Sequence, residues 1–412
     1  MLGLFVNYVI YDKKNRRYFG NITEKSTKRE GESRRYRDLR RERKLMRWDI
    51  IPEGSLDRGA LRLTGEFVRL HANESPFLLP DVVRAAVVEE LTWRGQYYPD
   101  PSGSSLKRVL AERLGLAPDQ IVLGSGSGDI IEHLIRGLTQ APYEMIIPEP
   151  SFPLYEAIAR TQSAVVRHVP LRSDGCLDLF GTLQAVNEGT SLIILCNPNN
   201  PTGGYLPLSE IAAFLDEVPS EVAVLLDEAY WEMTDAYAKG QPGAETLLAR
   251  YDNLLISRTF SKYYGMAGMR LGYLLAANAA VAQAVQRRMS RAMPNRLALK
   301  GAEAALSSAA EVAYREYGAI IRRERELMVR ELTAWNLSVY PTQTNFISVA
   351  WQDHSHAMDS AHIAIRSGQT MGLPGFSRIT IGTPEQNDQV LRVIKNSLVT
   401  TNLSAPSTID AR

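Results

Sequence analysis

Cysteine is almost absent from this chain: two residues in 412, Cys176 and Cys196, which rules out a disulfide framework. Neither sign of charge dominates, with 47 Lys and Arg against 46 Asp and Glu, a net charge of +1. Long-range attraction of the whole molecule to a polyanion is therefore not expected. No uninterrupted apolar stretch of about 18 residues occurs, so no membrane span is expected. The opening Met1–Val6 lacks a basic leader and a small-residue cleavage site, which leaves cytoplasm as the expected location. Histidine is scarce too. Three of the six, His354, His356 and His362, share one polar stretch, but no cysteine accompanies them and no metal is expected. What remains is 45% hydrophobic, enough to build one large and one small α/β domain.

The most informative segment that is present runs from Ser257 to Arg270. Lys262 is flanked there by the hydroxyls of Thr259 and Ser261, then by Gly265, Ala267 and Gly268, then by Arg270. Hydroxyls and a guanidinium around one lysine suit a phosphate held beside an amine. Pyridoxal phosphate needs that pairing: an aldehyde to form a Schiff base and a 5′-phosphate anchored nearby. A lone Ser-Lys pair is more often simply solvated, so the reading needs companions.

Three companions lie upstream. The apolar run Ser191–Cys196 empties into Asn197-Pro-Asn-Asn-Pro-Thr-Gly203, a strand followed by a turn. Open α/β sheets place ligands at such carboxyl ends, and the Asn200 amide can reach a ring hydroxyl there. A second apolar strand, from Glu221, ends in Asp227, where a carboxylate is costly unless paired. A protonated pyridine nitrogen is one such partner, and helix capping is the bland alternative. Tyr230 can donate to the same ring's O3′. The third companion, Ile121–Ile135, reads as strand, glycine loop and amphipathic helix. Its backbone N–H groups can cradle one phosphate. The loop has neither the Lys-Ser/Thr ending of a P-loop nor a dinucleotide fingerprint. Phe152 can stack on a cofactor ring or belong to the core.

Taken together, these segments resemble the class I/II, fold type I pyridoxal-phosphate aminotransferases, and within them the histidinol-phosphate aminotransferases. The match extends to His71-Ala-Asn-Glu-Ser-Pro76, Tyr97-Tyr-Pro-Asp-Pro101 and Ser377-Arg-Ile-Thr-Ile-Gly382, in family order over roughly residues 65 to 400. The resemblance implies that Lys262 holds the Schiff base and moves the proton as general base and acid, and that Asp227 keeps the ring nitrogen protonated. It implies Asn200 and Tyr230 at O3′, Phe152 on the ring, and a phosphate cup of Ser127, Gly128, Thr259, Ser261 and Arg270. Tyr98 would reach the phosphate of a neighbouring subunit, so a homodimer with shared sites is expected. Arg378 would clamp the substrate α-carboxylate in a bidentate fork. Asn73, Asn345 and Arg366 are further pocket candidates. Expected partners are an amino donor such as histidinol phosphate and a 2-oxo acid such as 2-oxoglutarate. Histidinol phosphate has no carboxylate, so Arg378 would have to accept its phosphate and the carboxylate of the other substrate in turn. A decarboxylase or oxidase on the same scaffold is an alternative, and a non-catalytic cofactor-binding regulator is another.

The expected architecture follows from element order. Strand-helix alternation from about 118 to 275 predicts a mostly parallel sheet with helices on both faces. Residues 65–295 then form the N-terminal arm and the large cofactor domain. A long helical stretch, 298–334, leads into a small C-terminal α+β domain, 296–400. Strands near Asn345–Ala350 and Arg378–Ile381, a helix over 384–398 and a tail at 401–412 complete it. Residues 1–64 stand outside this pattern. The first 50 carry 15 Lys and Arg against 7 Asp and Glu, concentrated in Arg34–Lys44. A charged, partly helical tail or upstream residues before a native start at Met46 fits better than a nucleic-acid-binding module. A helix-turn-helix would need an apolar core that residues 21–44 do not offer.

Overall fold

Apolar runs of four to seven residues become strands, and most are buried on both faces, as a parallel sheet between helices requires. The structure, a computed structural model, describes residues 8–11, 17–20, 67–137, 143–162, 164–289, 294–351 and 355–404. The basic run Arg34–Lys44, Met46, His354 and residues 405–412 lie outside the described residues. The chain divides into two compact units, Met1–Arg62 and Leu63–Arg412. In the first, β1 (Tyr8–Tyr11) pairs antiparallel with β2 (Arg17–Gly20).

The second unit opens with β3 (Val68–Arg69) and then builds a seven-stranded sheet. Its strands are β4 (Ile121–Gly124), β5 (Glu144–Glu149), β6 (Val165–Pro170), β7 (Thr190–Cys196), β8 (Ala223–Asp227), β9 (Leu254–Thr259) and β10 (Gly272–Ala276). The order across the sheet is β4-β10-β9-β8-β7-β5-β6, and only β10 runs antiparallel to its neighbours. Side chains alternate between two cores because the strand period is two. Ile193, Leu195, Val224, Leu226 and Ile256 face one core, while Leu192, Ile194, Cys196, Leu225 and Leu255 face the other.

Beyond this sheet come β11 (Phe346–Val349), β12 (Ile363–Ala364), β13 (Arg366–Ser367) and β14 (Ser377–Thr380). β11, β14 and β13 form a three-stranded antiparallel sheet, and β12 pairs parallel with β3. That pairing carries residues 67–73 against the C-terminal strands: Leu70 donates to Ala364, and Thr380 donates to Leu70.

Three elements differ from the sequence expectation. The stretch 298–334 is two helices, Arg296–Ala305 and Ser308–Ala334, because Ser307 caps the second by accepting from the Ala310 amide. No long helix joins β8 to β9. The link is a four-residue α-helix, Asp235–Ala238, between two 3-10 segments. The final helix, Pro384–Ser404, runs past the expected start of the tail.

Beside β9 lies a buried charge cluster. Arg258 donates to Glu228 at 2.6 and 2.9 Å and to Glu245 at 2.5 Å, and the Arg258 and Glu228 side chains are only 3% and 4% exposed. Removing the one cation strands two buried carboxylates, at a cost of about 3–5 kcal/mol. Arg258→Met is expected to lower the free energy of urea unfolding by that amount, with Glu228→Gln and Glu245→Gln added to it restoring most of the loss. A single-variant change within about 0.5 kcal/mol would contradict this account.

Candidate active site

Strand parity explains the floor of the site. Cys196, Asp227 and Ser257 are register partners across β7, β8 and β9 and point to the same face. Asp227 is 3% exposed, so its carboxylate is out of water. It accepts from the Ser257 hydroxyl at 2.9 Å, the Ala229 amide at 3.2 Å and the Tyr155 hydroxyl at 2.6 Å. Tyr155 descends from the helix Leu154–Thr161, is itself fully buried, and meets Phe152 edge to face at 5.5 Å. Burial pushes the Asp227 carboxyl above its usual range, and the three hydrogen bonds oppose that. No helix begins at Asp227, so helix capping does not account for it.

The loops at the carboxyl ends of β4, β5, β7, β8 and β9 converge around one cavity of about 480 Å³. Lys262, Asp227, Tyr230, Asn200, Phe152, Ser127, Gly128, Thr259, Ser261, Arg270, Asn73, Arg366 and Arg378 all line it. Lys262 Nζ donates to the Ala72 carbonyl at 2.9 Å and lies 5.9 Å from the centre of the Tyr230 ring. Its pKa falls to about 7, chiefly through burial and then through the Arg378 charge. Near neutrality this amine therefore exists in appreciable part as a free base, which is what an aldehyde needs.

Tyr230 is buried, and its hydroxyl accepts from Asn73 Nδ2 at 2.8 Å, which leaves its own proton to donate. Burial raises its pKa to about 12, so the phenol stays protonated. Asn200 Oδ1 accepts from Arg378 Nη1 at 2.6 Å, so the Asn200 NH2 group is free in role to serve as a donor. Arg378 also donates to the His71 carbonyl at 2.8 Å and sits 5.3 Å over the Phe346 ring, while its Nε is buried without a partner. Burial draws its pKa down to about 10, and it remains a cation at neutral pH.

The phosphate side combines a helix start with close backbone approach. The helix Ser127–Gly137 begins at the cavity, and the Ser125 amide donates to Asp129 at 2.9 Å. Gly126 has φ of +98°, and a Cβ there would stand 2.7 Å from Arg270 Nη2. The guanidinium thus lies directly against the loop. The Thr259 hydroxyl donates to Ser261 Oγ at 3.0 Å, and its oxygen accepts from the Ser261 amide at 3.1 Å.

Two expected site residues fall elsewhere. Asn345 is fully buried and does not line the cavity; its Nδ2 donates to the Asn73 carbonyl at 3.1 Å, behind the pocket wall. Tyr98 is 91% exposed and is absent from the wall of this chain's cavity. His362 is exposed, with its ring edge-on to Phe67 at 5.4 Å. Sequence reasoning missed Tyr155, Ser257 and His71. The alternation that ends β9 carries the Ser257 signal, since Ser257 and Thr259 share one face. Tyr155 carries no such local mark.

These residues fit pyridoxal phosphate. A buried carboxylate with only neutral donors awaits a cationic N–H, a free amine stands across the cavity, and a helix start with Arg270 suits a phosphate. Fold and site together define a fold type I, pyridoxal-phosphate-dependent aminotransferase. The model of the family "Aminotransferase class I and II" matches residues 65–394, and the chain belongs to that family. It is 35% identical over 341 residues to the histidinol-phosphate aminotransferase of Bacillus pumilus, covering 81% of this chain and 91% of that one. The Geobacillus thermodenitrificans enzyme of the same name is 36% identical over 337 residues, covering 81% and 90%. Among solved structures, histidinol-phosphate aminotransferase from Sinorhizobium meliloti in complex with pyridoxal-5′-phosphate aligns with a TM-score of 0.75 and 27% identity. That alignment covers 85% of this chain and 96% of the other.

The Lys262 environment yields a pH test. Protonation silences the amine below its pKa of about 7, so the rate of pyridoxal-phosphate capture by the cofactor-free protein should rise with pH through about 7. Arg378→Gln removes a repelling charge and should move that midpoint upward. A midpoint near that of free lysine in the wild type, or no shift in the variant, would contradict the electrostatic account.

Proposed function

We propose that this aminotransferase takes its amino group from histidinol phosphate or a closely similar amine and passes it to a 2-oxo acid such as 2-oxoglutarate. The observation that carries the reading is Arg378: a guanidinium 6% exposed, with an unpartnered Nε, on the wall of the same cavity as Lys262. A cation so placed is a receptor for carboxylate or phosphate. The histidinol-phosphate aminotransferases among its relatives point to the amine.

Pyridoxal phosphate supplies an aldehyde carbon for the lysine amine and a ring that accepts the electron pair left when a substrate Cα loses its proton. Lys262 Nζ would hold that aldehyde carbon, and its amine would move the proton at the substrate Cα. Asp227 would pair with the protonated ring nitrogen, a cation that offsets the burial raising its pKa, in the same sense as its own three hydrogen bonds. Tyr230 and the Asn200 NH2 group would donate to O3′. Phe152 would lie against the ring. Ser127, Gly128, Thr259, Ser261 and Arg270 would hold the phosphate. Arg378 orients the substrate anion, with Asn73 fixing Tyr230 and Asn345 fixing Asn73.

Two further readings belong to this proposal. The enzyme is a homodimer in which Tyr98 completes the neighbour's phosphate site. Supporting this, Leu78, Leu91, Trp93, Tyr97 and Tyr98 form an exposed apolar set around the helix Asp81–Arg94. Its location is the cytoplasm, and no described helix is long and apolar enough to cross a membrane.

In a panel of amines added to the reconstituted protein, histidinol phosphate should bleach the visible absorbance of the lysine-bound cofactor, and 2-oxoglutarate should restore it. Lys262→Ala should show neither band nor turnover. A panel in which histidinol phosphate is inert while another amine reacts would overturn the substrate reading. Shared sites have a separate test. Lys262→Ala and Tyr98→Ala proteins should regain activity when mixed and allowed to exchange subunits, since one wild-type site forms in each mixed dimer. No gain on mixing would contradict sharing.

A further inference from the structure

His71 stands on the wall of the same cavity with a polar atom that nothing satisfies. The pairing of β3 with β12 places it, and its backbone oxygen receives Arg378 Nη2 at 2.8 Å. The residue is 7% exposed, and its Nδ1 makes no hydrogen bond. A buried ring nitrogen without a partner is costly unless something arrives to pair with it. Four charged groups bear on the ring: Arg69 and Glu74 from its own segment, Arg366 from β13 and Arg378 from β14. Lys262 lines the same cavity. Arg69 and Glu74 largely answer one another through a salt bridge at 2.8 Å. The charges left around His71 are therefore mainly positive.

We propose that His71 is a specificity-determining residue of the substrate cleft, a third anion-binding group whose ring pairs with the acidic group that Arg378 and Arg366 attract. This rests on the reading above that the cleft takes a substrate bearing a carboxylate or phosphate. Burial, then Arg69, holds the imidazole below its usual pKa of 6.5, with Arg366 and Arg378 adding to the effect and Glu74 opposing it. The ring is neutral in the free enzyme at neutral pH. An anion seated between the two guanidinia offsets their charge and favours a protonated ring. A proton then enters from solvent, and the ring N–H donates to the anion in a charge-assisted hydrogen bond. Anion binding and proton uptake are thereby linked. A dianionic group gains most, which favours substrates ending in phosphate or carrying a second carboxylate.

The test uses the holoenzyme and sulfate, whose charge does not change between about pH 5 and 8, the range in which histidine titrates. Sulfate binding is followed by calorimetry in buffers of different ionisation enthalpy, which counts the protons exchanged. In the wild type, affinity should rise as pH falls, with uptake approaching about one proton per site. His71→Asn should bind about 10-fold more weakly at the acid end, lose the proton uptake, and converge with the wild type at the alkaline end. His71→Gln should do the same. Each variant is first shown to retain the visible band of the lysine-bound cofactor, so a folding defect is separated from a recognition defect. A wild type that takes up no proton, or an asparagine variant that keeps the pH slope, overturns the proposal. Failure of the amine panel with the sulfate behaviour intact would overturn the substrate reading and leave the role of His71 standing.

Discussion

A carboxyl group buried at the end of β8 sets the terms for the rest of the site. Asp227 has left water, yet every donor that reaches it among the described residues is neutral: two hydroxyls and one amide. Such bonds favour the ionised form without cancelling its charge. Full compensation calls for a cation, and a protonated pyridine nitrogen is a cation of the right size. Three parallel strands with matched register are needed to aim Cys196, Asp227 and Ser257 at one point, and Tyr155 must cross from the covering helix. Much of the large sheet can be understood as the scaffold for that one carboxylate.

The same cavity also carries the other sign. Lys262, Arg378, Arg366 and Arg270 all line it, and burial, with the Arg378 and Arg270 charges added, draws the lysine toward its neutral form. A cavity negative on its floor and positive on its wall suits a cofactor with a cationic ring and an anionic phosphate. The same polarity draws substrate anions to the wall where the amine waits. The Arg258 cluster with Glu228 and Glu245 lies on the far face of the sheet from Asp227, since alternate residues of β8 and β9 face opposite cores. These two buried charged groups are thus kept apart, each with its own balance.

The grouping of the proposed cofactor residues around one cavity was legible in the sequence because it is written locally. Lys262, Thr259, Ser261 and Arg270 lie within twelve residues, and Asn200, Asp227 and Ser127 each follow an apolar run that could only be a strand. Strand ends meet by rule in such sheets, so local signals were enough. What escaped depends on contacts between distant segments. Tyr155 matters because its helix lies over β8, and His71 because β3 joins β12; neither pairing leaves a periodic trace. Asn345 resembled a pocket residue yet packs behind Asn73, a difference in depth that composition does not record. Helix lengths were misread where a cap or a chain of short turns interrupted the pattern, as at Ser307 and across residues 231–249.

The site is built around the charge of Asp227, not merely its shape. Asp227→Asn keeps the size and the strand but removes the charge, and the direct measurement is the rate of the first half-reaction with a reactive amine under single-turnover conditions. The account predicts a cofactor-loaded protein, still showing the visible band of the lysine-bound form, whose half-reaction is slowed by at least about 100-fold. An asparagine variant that transfers its amino group at the wild-type rate would contradict it.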